Sequence, residues 1–424
     1  MTTIRPDNPR VAPPLFEAAD LKAAPVAESD RIVAMDVLRG FVLLGILVMN
    51  IQSFAMPLPA YVNPTAYGDL TGANLWIWIG GHVFFDQKFM AVFSMLFGAG
   101  ILLMSGRAGA DGPHLHQRRM GWLIAFGLLH AYVFWYGDIL FAYGACGLLA
   151  YLFIDEQPAR LFGLSAVLLV MGSLSSIAFG LMLSPDDAIR LRDGFWHPTA
   201  DVLARELAAY RGGFIAQSQH RVSESFQSQT IYFLLVLLWR VLGLMLAGMA
   251  LLKLDVLTGR RPAAFYAKLA AWGFAVSLPV VAFGMRQNFA HGWSVEYSMY
   301  LGTLWNYWGS VAMAIGYVGL VIWVWRAGAM RSITSRLAAV GRMAFTNYFL
   351  QTLLATLIFY GHGLGLFGSV QRTAQMAIVV AIWAVLLIVS PWWLRRYRFG
   401  PLEWAWRSLT YGEKQPMRTS RASS

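Results

Sequence analysis

Apolar residues are gathered into ten long stretches, and short linkers between them hold most of the charged residues. A bilayer core about 30 Å thick requires roughly 20 apolar residues in a helix that rises about 1.5 Å per residue. The pattern therefore predicts an all-α fold, a polytopic integral membrane helix bundle of about ten transmembrane helices. The predicted spans are Val37–Met56, Leu75–Met104, Met120–Tyr136, Ile139–Ile154, Leu161–Leu183, Thr230–Leu252, Phe265–Met285, Met299–Trp325, Leu337–Tyr360 and Thr373–Leu394.

The composition agrees with a membrane protein. The 424 residues are 58% hydrophobic and only 13% charged, which is more apolar surface than a water-soluble domain of this length needs. The single cysteine, Cys146, lies inside a predicted span, so an intramolecular disulfide and a Cys-rich metal cluster are both excluded. We predict no metal cofactor.

The lysines and arginines are distributed unevenly between the two sides of the predicted membrane. With the N-terminus inside, 23 of them fall in cytoplasmic segments and 7 on the opposite side, five of these in one long loop. Because cytoplasmic loops retain positive charge, both termini are predicted to be cytoplasmic. The charges are dispersed along loops rather than clustered on one face, so the formal charge of +11 does not indicate a nucleic-acid partner.

Three regions follow from this topology. Ala, Pro and acidic residues dominate residues 1–30, which contain no apolar stretch of signal-sequence length, so we expect a disordered cytoplasmic tail. Residues 31–394 form the transmembrane domain, with an extracytoplasmic loop at 184–229 whose fold the sequence leaves open. Residues 395–424 are expected to form an interfacial helix beginning at Pro401, with Trp404 and Trp406 at headgroup level, and a tail.

Polar residues inside spans are costly and usually face a bundle interior or a cavity. In the first span, Asp36 and Arg39 are three residues apart and share one helix face. Arg39 is a candidate contact for a phosphorylated or carboxylated ligand, with Asp36 fixing its rotamer. Asn50 lies about 16 Å further along the helix. The alternatives are an interfacial ion pair and an amide that bonds another helix.

The second stretch, Leu75–Met104, is too long for one perpendicular span, and Gly80-Gly81 followed by polar residues indicates a break. His82 and Asp86 are four residues apart, which brings them to one face, and a carboxylate can orient an imidazole as a general base. We therefore predict them to be catalytic, with Lys88 as a substrate contact. The alternative is an amphipathic turn at the extracytoplasmic interface.

Further candidates lie deeper in the chain. His130 precedes a tight hairpin that contains Asp138, which is expected to make the turn or cap the fourth span. Arg240 stands alone near the middle of the sixth span, where it requires carbonyls, an anionic ligand or a carboxylate from Asp36, Asp86 or Asp138. The additional candidates for substrate binding are Arg342, Asn347 and Gln351 at the start of the ninth span. Structural roles, such as a satisfied core histidine and amides that join helices, remain open for these residues.

Five motifs together resemble the YeiB family of bacterial inner-membrane proteins, whose C-terminal region is catalogued as domain of unknown function 418. The motifs are Met35–Gly40 with Asn50–Gln52, Asp86–Phe89 with Phe93–Gly100, His130-Ala131 with Trp135–Leu140, Gly341-Arg342 with Thr346–Tyr348, and Gly400–Trp404. The resemblance covers about Arg31 to Lys414. It implies a multi-pass protein of the bacterial inner membrane and assigns no firm biochemical activity.

The Asp-x-x-Arg-Gly opening at Asp36–Gly40, followed by Asn50, is also similar to the heparan-α-glucosaminide N-acetyltransferase group and more loosely to the membrane acyltransferase-3 family. Those enzymes move an acyl group from cytoplasmic acyl-CoA to an acceptor on the far side, with a histidine near the first extracytoplasmic loop. The resemblance implies acyl-CoA as co-substrate. Gln52–Gly81 contains no histidine, and His82 is the nearest one.

Three functions are compatible with the sequence. The first is a membrane-embedded acyltransferase in which Arg39 holds acyl-CoA phosphates, His82 deprotonates an acceptor, and Asn50 or Arg240 stabilises the oxyanion. The second is a carrier of a small organic anion, with Arg240 as the substrate contact and His130 as a proton relay. The third is a non-catalytic scaffold. The substrate is not identified, and a homodimer stays open.

Overall fold

The computed structural model describes residues 32–108 and 111–418, so the predicted tail at 1–30 and the last residues of the chain lie outside the described part. The described residues are almost entirely helical. The first nine α-helices are α1 (Val33–Ala55), α2 (Pro59–Val62), α3 (Gly72–Phe84), α4 (Lys88–Ala108), α5 (Gly112–Leu129), α6 (Leu140–Ala150), α7 (Pro158–Met182), α8 (Pro185–Leu191) and α9 (Ala200–Arg211).

The second half of the chain continues in the same way. Its helices are α10 (Phe214–Gln227), α11 (Leu238–Lys253), α12 (Ala263–Ala290), α13 (Val295–Ser298), α14 (Leu301–Ala327), α15 (Arg331–Arg342), α16 (Ala344–Phe359), α17 (Arg372–Leu394) and α18 (Pro401–Tyr411). Three π-helical segments extend α5, α8 and α10, at His130–Phe134, Arg192–Trp196 and Ser228–Leu237.

Seven helical segments of the described chain are long and apolar enough to cross a membrane, and two shorter apolar helices, Leu140–Phe153 and Ala344–Phe359, accompany them. The seven are Val33–Ala55, Gly72–Gly106, Pro158–Met182, Phe214–Lys253, Ala263–Ala290, Val295–Ala327 and Arg372–Leu394. A soluble protein would have no use for so many such helices. The protein is therefore a multi-pass membrane protein built as a helix bundle.

Two of the predicted spans are not continuous helices. The long second stretch divides into α3 and α4, but Gly80-Gly81 remains helical and the break falls at Phe85–Gln87, where Gln87 adopts a left-handed conformation with φ of 64°. The ninth stretch divides at Met343 into α15 and α16. Local backbone geometry, which hydropathy does not report, decides both breaks.

Glycines allow the central helices to approach closely. A Cβ on Gly40 of α1 would lie 1.9 Å from the Leu337 carbonyl oxygen of α15, and one on Gly341 would lie 1.9 Å from the Asp36 carbonyl oxygen. Helices α4 and α11 cross in the same manner at Gly98 and Gly248. Small residues are the usual means of close helix packing in membranes, and here they place α1 and α4 in the middle of the bundle.

The 184–229 region folds into α8, α9 and α10 rather than an irregular loop. Its Trp196 is fully buried, and the indole Nε1 donates to the Trp293 carbonyl at 2.6 Å. The Tyr210 carbonyl accepts from the Gly361 amide at 2.8 Å. These contacts attach the region to the turn after α12 and to the segment after α16, so it covers one end of the bundle.

Helix α18 begins at Pro401, the position predicted for its start. Its two tryptophans are half-buried, and both indoles donate to backbone carbonyls. The Trp406 indole donates to the Arg119 carbonyl at 2.9 Å and packs edge-on against Phe345, and the Trp404 indole donates to the Gln415 carbonyl at 2.7 Å. Helix α18 therefore closes the end of the bundle that contains the start of α1 and α5.

Candidate functional site

A cavity of about 1230 Å³ runs through the bundle. One face of α1 lines it from Met35 through Arg39, Leu43 and Ile46 to Ser53. The 18 residue-to-residue steps from Met35 to Ser53 rise about 27 Å, close to the thickness of a bilayer core. The cavity is therefore about as long as a bilayer core is thick, and its two ends are chemically different.

One end, called the histidine end, contains His82, Asp86, Asn50 and Arg240. The His82 Nδ1 lies 3.3 Å from the Asp86 Oδ2, and the imidazole stacks on Trp78 with ring centres 5.1 Å apart. These two contacts fix the orientation of the imidazole ring. The side chain lines the cavity, and its second ring nitrogen is Nε2. An imidazole held in this way can accept a proton from a bound molecule.

The Asn50 amide makes no hydrogen bond within the described part of the chain, although its residue lines the cavity. A polar amide in an apolar helix normally finds a protein partner. Its side chain is therefore available to a molecule in the cavity.

The break between α3 and α4 is held by a network that includes Lys88. The Lys88 ammonium donates to the His82 carbonyl at 2.7 Å and also to the Asn306 side-chain oxygen. The Asn306 amide in turn donates to the Asp86 carboxylate at 2.7 Å. Lys88 is fully buried and does not line the cavity, so in this structure it positions the break and, through Asn306, the catalytic candidate Asp86.

Arg240 is buried in α11 and lines the cavity. Its guanidinium donates to the Tyr307 carbonyl at 3.1 Å and to the Ser310 hydroxyl at 2.6 Å, and it lies 4.3 Å from the centre of the Tyr307 ring. Asp86 is the carboxylate that interacts with it electrostatically. The Arg240 Nε is buried without a hydrogen-bond partner among the described residues.

The other end, called the basic mouth, contains Arg39, Arg119, Arg342 and Arg407. Arg39 pairs with Asp36 at 3.1 Å, as the three-residue spacing allows. Arg119 and Arg407 come from α5 and α18, and their charges lie close enough to Arg39 for mutual repulsion. Burial, with the positive charge of Arg39, lowers the pKa of Arg407.

The carboxylate of Glu403 also borders the basic mouth, but it is already engaged. It accepts from the Phe345 amide at 2.7 Å, from the Thr346 amide at 3.1 Å and from the Thr346 hydroxyl at 2.5 Å. Glu403 therefore caps the N-terminus of α16, where a negative charge is favourable. Four guanidinium groups against two engaged carboxylates leave the basic mouth suited to a polyanion.

His130 and Asp138 form a second buried pair. The His130 Nδ1 lies 3.1 Å from the Asp138 Oδ1, and the His130 Nε2 lies 3.0 Å from the Thr352 hydroxyl. Asp138 lines the cavity and also accepts from the Phe141 amide at 2.9 Å, so it caps α6 as the sequence indicates. His130 itself does not line the cavity. Its polar neighbours, Asp138 and Thr352, both belong to the protein.

The two candidate amides of α16 lie between helices. The Asn347 amide donates to the Val340 carbonyl at 3.1 Å and to the Ser390 hydroxyl at 2.9 Å, and the Gln351 amide donates to the Leu43 carbonyl at 3.1 Å. Neither residue lines the cavity. They join α16 to α15, α17 and α1, the structural alternative that the sequence left open.

Sequence reasoning missed Asn306, Arg119 and Arg407. Asn306 is an amide in an apolar span, so the argument applied to Asn50 could have found it. The sequence predicts that basic residues on the cytoplasmic side assist Arg39, but nothing in the pattern shows that α5 and α18 meet and so singles out these two arginines. Within residues 32–108 and 111–418, no group of three or more His, Cys, Asp and Glu side chains is placed to hold a metal ion.

Comparison with known proteins places this architecture in a family. The chain is 32% identical over 409 residues to the uncharacterized protein YeiB of Escherichia coli K12, covering 92% of this chain and 100% of that protein. The chain belongs to the YeiB family. Residues 251–413 match the family "Protein of unknown function (DUF418)".

Other relatives of this YeiB-family protein are similar over nearly their whole length. The uncharacterized protein YxaH of Bacillus subtilis is 29% identical over 418 residues, covering 93% of this chain and 97% of YxaH. An uncharacterized 39.9 kDa protein of Bacillus acidopullulyticus is 28% identical over 398 residues, with the same coverage. No solved structure matches the chain significantly. The names of these relatives assign no activity.

Proposed function

We propose that this protein is a membrane-embedded acyltransferase that moves an acyl group from cytoplasmic acyl-CoA to an acceptor on the extracytoplasmic side of the bacterial inner membrane. The cavity carries this proposal, because it joins a basic mouth to a histidine–aspartate pair through an apolar middle lined by residues such as Ile46 and Phe93. Acyl-CoA has phosphates at one end and its thioester at the end of a long flexible arm. Its charge distribution matches that of the cavity.

Two further observations support the direction of transfer. The excess of lysine and arginine predicts that the start of α1, and with it the basic mouth, faces the cytoplasm. The resemblance of Asp36–Gly40 and Asn50 to membrane acyltransferases implies a donor on the same side. Arg39, Arg119 and Arg407 would bind the donor phosphates there.

The chemistry requires a base and a group that stabilises negative charge. Asp86 holds the His82 Nδ1, so Nε2 accepts the proton of an acceptor hydroxyl or amine as that group attacks the thioester carbonyl carbon. A bond forms between the acceptor and the acyl carbon, the carbon–sulfur bond breaks, and His82 returns the proton to the departing CoA thiolate. The Asn50 amide and the Arg240 guanidinium are the donors available to the developing oxyanion.

Transport of a small organic anion is the second candidate. The unpaired Nε of Arg240 and a cavity that extends between both ends of the bundle favour it. In this case the anion would cross unchanged, and the His82–Asp86 pair would have no chemical role. A scaffold, the third possibility, needs neither the cavity nor the donors that face it.

Release of the CoA thiol separates these functions. The protein in nanodiscs is supplied with radiolabelled acetyl-CoA and a lipid extract of bacterial inner membrane, and both free thiol and the labelled product are measured. We expect thiol release that disappears in His82→Ala and persists in His291→Ala, a matched change at an exposed histidine. Intact acetyl-CoA under all conditions, or equal release by the His82→Ala variant, would contradict the proposal.

A further inference from the structure

The cavity has a side opening near its histidine end, between α7 and the π-helical segment Ser228–Leu237. Phe179, Ile231 and Tyr232 line the cavity, yet they are 48%, 60% and 49% exposed. All three belong to helical segments long and apolar enough to span the membrane. Their exposed surfaces therefore meet lipid, and the cavity opens sideways into the bilayer.

Hydrogen bonds define the edges of this opening. The Ser175 hydroxyl of α7 donates to the Leu235 carbonyl at 3.0 Å, which joins the two walls about one turn below Phe179 and Ile231. The Ser176 hydroxyl donates to the Tyr300 carbonyl at 3.3 Å and ties α7 to the start of α14. The opening thus lies toward the end of α7, in the half of the bundle that contains His82 and Asp86.

The π-helical segment Ser228–Leu237, which forms one wall of the opening, is unusually long. It continues for ten residues, whereas π-helices mostly occur as single-turn bulges and often mark functional sites. Its Tyr232 interacts electrostatically with both Asp86 and Arg240. A molecule that enters past Tyr232 therefore arrives directly at the groups assigned to the chemistry.

From this geometry we infer that the acceptor is a lipid-anchored amphiphile, whose hydroxyl- or amine-bearing head group enters the cavity while its hydrocarbon chain stays in the bilayer. This inference rests on the proposed acyl transfer. Apolar side chains at the opening suit a hydrocarbon chain, and Arg240, Asn50 and His82 inside suit a polar head. A soluble acceptor would gain nothing from an opening toward lipid.

Photolabelling tests entry of a head group independently of turnover. The full chain is reconstituted in nanodiscs that contain a phospholipid with a diazirine in its head group, and labelled peptides are mapped by mass spectrometry after irradiation. We expect labels on the cavity-lining residues Gly302, Thr303, Asn306 and Tyr307, several-fold weaker in Ile231→Trp, which fills the opening. Val167→Trp is the control, because Val167 is 58% exposed on α7 and does not line the cavity.

Labels confined to lipid-facing residues, or interior labelling that Ile231→Trp leaves unchanged, would overturn the side opening. In the acetyl-CoA assay, label recovered in the lipid phase supports the inference, and label recovered only in water-soluble product overturns it. Interior labelling without any release of CoA thiol would instead show lipid entry and the failure of the proposed acyl transfer. The two failures are therefore distinguishable.

Discussion

The imidazole Nδ1 of His82 lies 3.3 Å from the carboxylate Oδ2 of Asp86, at the place where α3 ends and the chain breaks before α4. Lys88 and Asn306 hold the same break. Contacts at the break between α3 and α4 therefore orient this imidazole before any substrate binds.

Replacing the carboxylate tests that orientation. In Asp86→Asn the Nδ1 loses its anionic partner while the size of the side chain is preserved. General acid–base catalysis contributes about 10²–10⁴-fold, so we expect the rate of CoA thiol release to fall within roughly that range. Steady-state kinetics in nanodiscs measure this, with Asp193→Asn, at an exposed aspartate, as the control. An unchanged rate would remove Asp86 from the mechanism.

Loss of an arginine from the basic mouth should weaken ligand binding without lowering the stability of the ligand-free protein. Burial is the main cause that lowers the pKa of Arg407, so removing its charge in Arg407→Gln should leave the ligand-free protein no less stable. The same change should weaken acetyl-CoA binding about tenfold, which corresponds to about 1.4 kcal/mol. Arg260→Gln is the control, since that side chain is 65% exposed. Equal affinity in both variants would exclude Arg407 from donor binding.

Close packing of α1 against α15 predicts a strong effect at a glycine. In Gly40→Ala the new Cβ would meet the Leu337 carbonyl oxygen at 1.9 Å, so the helices must separate. We expect a loss of about 1–3 kcal/mol in the free energy of unfolding. Gly163→Ala on α7 is the matched control, because a Cβ there meets open space. Thermal unfolding that does not distinguish the two variants would contradict this packing.

Glu206 predicts how stability depends on pH. Burial raises its pKa from 4.5 to about 7 in the folded protein. Between these values the folded state keeps a proton that the unfolded chain has released, so stability falls as pH rises, by up to about 3 kcal/mol. Glu206→Gln keeps an acceptor for the Leu58 amide and should flatten this dependence between pH 5 and 8. A steep fall that persists in the variant would assign it to another group.

The sequence predicted much of this fold because hydropathy reports burial in lipid directly. The apolar stretches correspond to the observed helices except where the backbone breaks, at Gln87 and Met343. Those breaks depend on local conformation and on tertiary hydrogen bonds such as those of Lys88, which no periodicity shows. The number of spans and the cytoplasmic position of the termini stay predictions.

The site was only partly accessible to the same reasoning. Residues within one helix turn, such as His82 with Asp86, follow from spacing alone. Contacts between distant segments do not, and Arg119 meets Arg407 only because α18 folds back against α5. Asn347 and Gln351 show that spacing alone can also mislead. Their four-residue spacing would suit two amides that line a polar cavity, yet both amides form hydrogen bonds between helices.

Binding of acyl-CoA tests the account most directly. Purified protein in nanodiscs is heated with and without acetyl-CoA or a longer acyl-CoA, and the shift in melting temperature is measured for the wild type, Arg39→Ala and the control Arg260→Ala. The account predicts a stabilising shift that disappears only in Arg39→Ala. No shift with any acyl-CoA, or one that survives in Arg39→Ala, would contradict it.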